Sequence, residues 1–332
     1  MLKNKSIFIS GGTGSFGNEF TKYIISKYKR VERLIIFSRD EFKQYEMSKI
    51  FPIKKYPFIR YFLGDVRDLS RLKFALKGVD ILIHAAALKH VPAAEYDPFE
   101  FIKTNVFGAQ NIIEASIQNK VKKVIALSTD KAVAPINLYG ATKLCSDKLF
   151  LAANNITGNS PTIFSVVRYG NVMSSRGSVI PYFLTLKNNK QKLQLTDINM
   201  TRFHITLEQA VNSVIWSIKN CLGGEVVINK IPSIKLLDLV KALDSDYEVI
   251  GVRPGEKIHE ELLQSSDSGS TVELKNYYVI LNKFKDFDKT YSYYKKKFSA
   301  KTVSNNFSYN SRENNFLSLN QIKNQIKKIK VL

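Results

Sequence analysis

Two side chains able to share a proton, Tyr139 and Lys143, stand four residues apart in Asn137-Leu138-Tyr139-Gly140-Ala141-Thr142-Lys143. The stretch has helical patterning, so the two lie on one face, one turn apart. A phenol with an ordinary pKa of about 10 is no base at neutral pH, but an ammonium held beside it stabilises its anion. A phenolate so placed can take a proton from a substrate hydroxyl. Tyr and Lys at this spacing also occur on solvated helices. Here the pair follows an apolar run, Lys123 to Ser128, and the string Ser128-Thr129-Asp130-Lys131, at the strand end where ligands lie in open α/β sheets.

A glycine string near the N-terminus supplies the second chemical element. Gly11-Gly12-Thr13-Gly14-Ser15-Phe16-Gly17 puts Gly11, Gly14 and Gly17 at GxxGxxG spacing between a strand pattern and a helix pattern. Such a turn lets the backbone approach a pyrophosphate, whose charge lies against the free N–H groups of the next helix. The implied ligand is a nicotinamide dinucleotide, which accepts hydride as the phenolate takes the proton. At the end of the next strand an acidic residue favours NAD and a basic one the 2′-phosphate of NADP. The sequence reads Phe37-Ser38-Arg39-Asp40, so Ser38 and Arg39 favour NADP, with Asp40 close enough to argue for NAD. Further on, Gly64-Asp65-Val66 offers a carboxylate and an apolar side chain suited to the adenine; Asp65 as a simple cap of the helix near Leu69 is the competing expectation.

Positioning these groups requires a sheet. Short β-branched and aromatic runs at Ser6–Ser10, Leu34–Ser38, Phe58–Gly64, Asp80–Ala85, Lys123–Ser128 and Thr162–Val167 alternate with longer amphipathic stretches. That alternation predicts a Rossmann-type, doubly wound parallel sheet of the α/β class, its strands buried on both faces. Beyond about Gly170 the pattern loosens. Loops are expected around Ser174 to Ser178, a helix at Leu207–Lys219, a strand at Glu225–Asn229 and a helix at Ile234–Leu243. The predicted division is a dinucleotide-binding domain over 1–170, to which some later segments return, a smaller substrate-binding lobe over 171–265, and a basic, partly mobile segment over 266–332.

Length and composition agree with this. The chain has 332 residues, 44% hydrophobic and 24% charged, with 16 Gly and 9 Pro, which excludes fibrous and low-complexity classes. No apolar run approaches the roughly 18 to 20 residues that cross a bilayer, and Ile7-Phe8-Ile9-Ser10 leads straight into the glycine turn without a cleavage-type region. Two cysteines, Cys145 and Cys221, make no disulfide framework or metal cluster, which suits a reducing cytoplasm. Neither a metal nor a membrane is expected. The net charge is +21, and 13 of the 50 Lys and Arg fall in Thr271–Leu332 against 4 of the 29 acidic residues. Runs such as Lys295-Lys296-Lys297 and Lys327-Lys328 read as solvated faces rather than as a nucleic-acid site, since no aromatic interleaving accompanies them.

The motifs resemble those of the extended short-chain dehydrogenase/reductases, and within them the inverting nucleotide-sugar 4,6-dehydratases of pseudaminic acid biosynthesis, which serve flagellin glycosylation. The likeness runs through the glycine turn, Ser38-Arg39-Asp40-Glu41, Gly64-Asp65-Val66-Arg67-Asp68, Ala85-Ala86-Ala87-Leu88-Lys89-His90-Val91-Pro92, Ser128-Thr129-Asp130-Lys131, Asn137 to Lys143, Arg168-Tyr169-Gly170-Asn171-Val172 and Arg253-Pro254-Gly255-Glu256-Lys257. Only the segment after about Ser265 is weakly matched.

The resemblance implies a UDP-N-acetylglucosamine substrate and a tightly held NADP recycled in each turnover. Its cofactor contacts would fall on Gly11, Thr13, Gly14, Ser15, Phe16, Gly17, Ser38, Arg39, Asp65, Val66, Ala85, Ala86, Tyr139 and Lys143. Asp130 would be the acid for the departing C6 hydroxyl, Lys131 the base at C5, and Thr129 a hydrogen-bond partner of the C4 oxygen. Retaining dehydratases typically carry glutamate where Lys131 stands, so lysine there resembles the inverting type. Tyr139 also differs from the methionine common in membrane-anchored and capsule-type relatives. Arg202 and Arg253 would hold the diphosphate, Asn171 would assist, Glu256 would meet the uridine ribose, and Lys89 would lie on the substrate side near the nicotinamide. An Arg-Pro-Gly-Glu turn is also a good structural turn. A homo-oligomer is expected, a dimer through helices at Val106–Gln118 and Leu138–Ala153 or a larger ring. The competing functions are a UDP-hexose 4-epimerase, which needs no Asp130-Lys131 pair, and a non-catalytic NADP-binding sensor or scaffold, which would not need Tyr139 and Lys143.

Overall fold

The computed structural model describes residues 2–28, 31–173, 178–282 and 287–327. The first half alternates strand and helix: β1 (Ser6–Ser10), α1 (Ser15–Lys27), β2 (Arg33–Ser38), α2 (Glu41–Ile50), β3 (Ile59–Leu63), α3 (Leu69–Ala75) and β4 (Ile81–His84). Then come α4 (Val91–Tyr96), α5 (Pro98–Phe101), a π-helical turn (Ile102–Phe107), α6 (Gly108–Gln118), β5 (Lys123–Thr129), α7 (Leu138–Ala152) and β6 (Ile163–Tyr169). All six predicted strands are present, each within two residues of its expected bounds. They pair in parallel in the order β6-β5-β4-β1-β2-β3, a doubly wound sheet that reverses direction between β1 and β4.

Burial on both faces holds for β1, where every residue is buried, but not for β3. As the outermost strand it buries only Ile59 fully, because no further strand or helix covers its outer side. The run of apolar residues there reflects packing on one face, against β2 and α2.

The second half contains β7 (Asn171–Val172), α8 (Val179–Asn188), β8 (Leu193–Leu195), β9 (Thr201–Ile205), α9 (Leu207–Asn220), β10 (Val226–Asn229), β11 (Ser233–Lys235), α10 (Leu236–Leu243), β12 (Tyr247–Val249) and β13 (Glu261–Leu263). The expected helix at Ile234 starts later, at Leu236, because Ile234 and Lys235 pair with β9 instead. The predicted strand near Glu225 becomes β10 and joins the main sheet parallel to β6. The loop expected around Ser174 lies outside the described residues up to Ser178. Met173, Ile180, Phe183, Leu193, Leu195, Leu239 and Leu243 form a second, smaller core beside the main one.

Past residue 265 the sequence shows weak patterning, yet the chain builds β14 (Thr271–Glu273), β15 (Tyr277–Ile280), α11 (Phe287–Phe298), β16 (Lys301–Thr302), β17 (Tyr309–Asn310) and α12 (Leu319–Lys327). β15 pairs antiparallel to β10, and β14 and β16 follow, giving a sheet of ten strands. Short strands carry too few residues to show a period, so their signal is lost in the sequence. Buried Tyr294 anchors the segment, its hydroxyl donating to Glu225 Oε1 at 3.1 Å. The basic run Lys295–Lys297 on α11 is exposed, and Lys328 lies outside the described residues.

Candidate active site

The glycine turn is as tight as its spacing requires. Gly11 has φ +65°, and a Cβ there would come within 2.8 Å of the Ala86 backbone. A Cβ on Gly17 would sit 2.0 Å from the Gly12 carbonyl oxygen, so α1 closes directly onto the end of β1. Asn18 Nδ2 braces the turn by donating to the carbonyls of Thr13 and Gly14, both at 3.0 Å. α1 starts after Gly14 without a side-chain cap, leaving its first N–H groups for an anion. Thr13 and Phe16 are buried beneath, and Ala85 and Ala86 face the turn at the sheet's reversal point. The cradle therefore fits a dinucleotide pyrophosphate.

At the end of β2, Asp40 is committed to α2: its Oδ1 accepts from Lys43 N at 2.9 Å and its Oδ2 pairs with Lys43 Nζ at 2.7 Å. Ser38 is buried and accepts from Gln44 Nε2 at 3.2 Å, while the Arg39 side chain is half exposed. Asp65 does not cap α3; Asp68 does, accepting from Arg71 N at 2.9 Å. Asp65 instead receives the Arg67 amide and guanidinium at 2.9 to 3.1 Å, and these bonds hold its carboxyl below the usual range against its burial. Buried Val66 lies against Gly108, where a Cβ would come within 2.8 Å of its side chain.

Beyond β5 the chain makes a single 3-10 turn, Asp130–Ala132, before α7. Gly140 lets the two meet: a Cβ there would lie 2.2 Å from the Lys131 carbonyl oxygen. Asn137 caps α7, its Oδ1 accepting from Gly140 N at 2.8 Å. Tyr139 and Lys143 are both buried on the first turns of α7. Lys143 Nζ donates to the Leu127 carbonyl at 2.8 Å, and burial lowers its pKa against the pull of Asp147. Burial pushes the Tyr139 phenol up to about 12, with Lys131 and Thr129 opposing the rise. Lys131 thus opposes the rise in the phenol's pKa, a contribution the four-residue spacing of Tyr139 and Lys143 does not reveal.

Asp130 is buried. Its Oδ1 accepts from Thr129 Oγ1 at 2.9 Å and from Lys131 Nζ at 3.1 Å, and its Oδ2 has no partner among the described residues. Burial raises its pKa, with Glu260 adding to the rise and Lys131 opposing it. Lys131 also donates to Glu260 Oε1 at 3.0 Å, and Asp130 and Glu260 hold it as an ammonium despite burial. A carboxyl group and a lysine side by side, next to a phenol, can protonate a leaving hydroxyl and exchange a proton at carbon.

Of the substrate-side residues, Asn171, Arg202 and His204 line a cleft between β7, β9 and the helices α8 and α10. Asn171 Oδ1 is buried there with no hydrogen-bond partner among the described residues. Arg202 is turned inward: its Nη1 donates to the carbonyls of Thr201 and Ile258 at 2.7 and 3.0 Å, and its Nε lies 3.8 Å from Glu260. The Arg253–Lys257 turn is fastened to the catalytic loop by Asn137 Nδ2 on the Gly255 carbonyl at 2.8 Å and Lys257 Nζ on the Val133 carbonyl at 2.6 Å. Arg253 is exposed, and Glu256 Oε2 is buried with no partner among the described residues. Lys89, after β4, lies close enough to Lys131 that desolvation and that charge lower its pKa.

Sequence reasoning misses three contributors. Glu260 stands after the Arg253–Lys257 turn and carries no motif of its own. Asn105, in the π-helical turn, pins the loop after β4 by bonding Leu88 N and O at 2.9 Å and Thr142 Oγ1 at 3.0 Å. A π-turn at a site is a recognisable structural signal, but it is invisible in the letters. Asp147, one turn beyond Lys143, accepts from Ser128 Oγ at 2.7 Å and Arg168 Nη2 at 3.2 Å. Its i+4 spacing from Lys143 is the one clue the sequence offers.

The sheet order, the glycine cradle and the Tyr139/Lys143 helix together define a short-chain dehydrogenase/reductase-type fold. A family model described as "Polysaccharide biosynthesis protein" matches residues 7–282, and the chain belongs to that family. It is 52% identical over 319 residues, 95% of this chain and 94% of the relative, to the UDP-N-acetylglucosamine 4,6-dehydratase (inverting) of Campylobacter jejuni. It is also 40% identical over 288 residues, 84% of each chain, to a protein of Rickettsia canadensis named UDP-glucose 4-epimerase. Among solved structures, Pen from Bacillus thuringiensis superposes with TM-score 0.90 at 36% identity over the whole of both chains. The dTDP-glucose 4,6-dehydratase DesIV of Streptomyces venezuelae, solved with NAD, shares the fold at TM-score 0.69 and 20% identity, covering 76% of this chain and 86% of that one. Among the described residues no helix is long and apolar enough to cross a membrane.

Proposed function

We propose that the protein is an inverting UDP-N-acetylglucosamine 4,6-dehydratase, a lyase giving UDP-2-acetamido-2,6-dideoxy-β-L-arabino-hex-4-ulose. The observation that carries this is the Asp130-Lys131 pair: a buried carboxyl whose pKa burial raises, accepting from the Lys131 ammonium at 3.1 Å, in the turn that abuts the start of α7. Oxidation at C4 alone needs no such pair. Elimination across C5 and C6 needs both an acid and a base.

A bound nicotinamide dinucleotide supplies hydride acceptance from C4 and hydride return to C6. Tyr139 takes the C4 hydroxyl proton, and Thr129 orients that oxygen. Lys131 takes the proton from C5, made acidic by the new carbonyl, and the electron pair of that bond forms the C5–C6 double bond. Asp130 gives its proton to the C6 oxygen, which leaves as water. As hydride reaches C6, water gives a proton to C5 from the opposite side, its O–H bond breaking as the C–H bond forms, and this sets the L-arabino configuration.

NADP is the favoured dinucleotide, because Asp40 is held at the α2 terminus and the half-exposed Arg39 guanidinium, 4.0 Å from the Asp65 carboxylate, is placed to meet a 2′-phosphate. Arg202, Arg253, Asn171, Glu256 and Lys89 are assigned to the UDP-sugar. The exposed apolar side chains Phe99 and Phe107, beside α6, support an oligomer joined through α6 and α7. A cytoplasmic home and a place in pseudaminic acid biosynthesis follow from the same reading.

The test is incubation with UDP-N-acetylglucosamine in D2O without added cofactor, followed by proton NMR. A new 6-methyl signal, deuterium at C5 and L-arabino couplings are expected. The relatives named UDP-glucose 4-epimerase supply the second reading. Conversion only to UDP-N-acetylgalactosamine would establish it in place of the dehydratase, and no turnover even with NADP present would favour a sensor or scaffold.

A further inference from the structure

Lys131 faces charged and titratable groups from every element around it: Asp130 on its own turn, Glu260 and Lys257 from the segment leading into β13, Arg202 on β9, Tyr139 on α7 and Lys89 after β4. Two of these accept from its ammonium, Asp130 Oδ1 at 3.1 Å and Glu260 Oε1 at 3.0 Å. Such an arrangement creates a problem for the proposed chemistry. A lysine that donates to carboxyl oxygens on two sides is held as an ammonium, and an ammonium has no lone pair with which to take a proton from carbon.

Asp130 cannot relieve it, because the same side chain must arrive protonated to expel water. Glu260 can. It is buried and stays a carboxylate under the influence of Lys131 and Arg202, although its burial opposes this. Its second oxygen, Oε2, is buried with no partner among the described residues, so a proton delivered to Glu260 meets no competing donor there. The Glu260 amide is fixed by Ser311 Oγ at 2.8 Å, which holds the side chain under Lys131.

We infer that Glu260 is the positioning residue through which Lys131 becomes a base: it accepts a proton from the lysine before the lysine attacks C5. This rests on the dehydratase reading above. In the first step an N–H bond of Lys131 breaks and an O–H bond forms on Glu260, turning ammonium and carboxylate into amine and carboxylic acid. In the second, the amine takes the C5 proton and the C–H electron pair passes into the forming double bond. Lys131 is then an ammonium again and Glu260 an acid. When C5 is later protonated by water from its opposite side, Glu260 gives its proton to the hydroxide so formed, and the ammonium of Lys131 and the carboxylate of Glu260 are restored. The geometry also explains why Arg202 is turned inward. Its guanidinium lies 3.8 Å from Glu260 and, by favouring the carboxylate, restores the resting state after each turnover.

The experiment compares wild type, Glu260→Gln and Glu260→Asp with UDP-N-acetylglucosamine in D2O, reading C5 deuterium exchange by NMR separately from C4 oxidation by absorbance of the reduced cofactor. Glu260→Gln is expected to oxidise C4 normally while C5 exchange falls on the order of 100-fold, the usual effect of losing a general-base contribution. Its residual exchange should climb about tenfold per pH unit through neutrality, as a free amine must then be made by solvent, whereas the wild type stays flat. Glu260→Asp, with its oxygen drawn back by one methylene, is expected to keep the flat profile at about one-tenth of the wild-type exchange.

Wild-type exchange and a flat profile in Glu260→Gln would overturn the inference. So would equal loss of oxidation and exchange in a folded Glu260→Gln protein that Glu260→Asp does not rescue, which marks a purely structural role. If Glu260→Gln does not fold, Glu260→Asp decides, and full wild-type exchange in that variant overturns the inference. A wild type that forms no 6-deoxy product removes the dehydratase reading itself, a result visible before any variant is made.

Discussion

Asn137 holds Gly255 and Gly140 at once: its Nδ2 donates to the Gly255 carbonyl at 2.8 Å and its Oδ1 accepts the Gly140 amide at 2.8 Å. One amide thus ties the Arg253–Lys257 turn to the first turn of the catalytic helix α7. The two functions separate by substitution. Asn137→Asp keeps the cap and loses the donor, so we expect thermal stability near that of the wild type with a raised KM. Asn137→Ala loses both, with about 1 kcal/mol of stability going with the cap. Thermal unfolding and steady-state kinetics on the two variants check this, and equal KM values in Asn137→Asp and wild type would refute it.

Tyr139→Phe removes the proposed base for the C4 hydroxyl and leaves the buried ring. Turnover should fall by about 10² to 10⁴, while the melting temperature stays unchanged, since the ring supplies the packing. Loss of turnover accompanied by unfolding would point to a structural phenol.

Arg39→Ala tests the cofactor assignment. If Arg39 meets a 2′-phosphate, its removal should weaken NADP binding about tenfold or more, the effect of one charge-assisted hydrogen bond. NAD binding should be unchanged. Titration of the apoprotein by fluorescence reads both, and equal effects on the two dinucleotides would restore Asp40 as the ribose ligand.

His84, at the end of β4, is buried, bonded through Nδ1 to Ser10 Oγ at 2.8 Å, and its pKa is pushed down to about 3 by burial, with Lys143 adding to the shift. The folded pKa lies below the unfolded value of about 6.5. The unfolded chain therefore binds a proton first as the pH falls, and the stability from neutral His84 is present above about 6.5 and drains away toward 3. Between pH 7 and pH 5 this amounts to about 2 kcal/mol. Denaturant unfolding at both values should show that extra loss in wild type and not in His84→Gln; identical pH dependence would show that the ring is not the sensitive group.

The parallel half of the sheet is legible from the sequence because buried strands such as Ile7-Phe8-Ile9 must be apolar throughout and must be punctuated by helices. Gly11 and Gly17 were equally readable, since backbone contact at 2.8 and 2.0 Å admits no other residue. What the letters conceal is long-range. Glu260 is 129 positions from Lys131, and no local period connects a lone glutamate to a distant turn. β14, β15 and β16 are too short to show alternation, and Asp68 and Asp65 could not be told apart as caps because both precede the same helix. Arg202 reads as a free cation, and only three-dimensional packing shows its Nη1 on two carbonyls.

The sheet is threaded in an order that matters while the chain is being made. Every residue assigned to the dinucleotide precedes residue 144, and β1 to β6 are complete by Tyr169. Arg202, Arg253 and Glu260 come later, and His204, in the cleft wall, is bonded by Gln325 on α12. The emerging polypeptide therefore contains every residue proposed for the dinucleotide, and the whole parallel sheet, some 150 residues before it contains Gln325, which bonds the cleft's His204. A ribosome-bound chain of intermediate length carries the residues proposed to grip a dinucleotide while it still lacks the last of those proposed to hold a sugar.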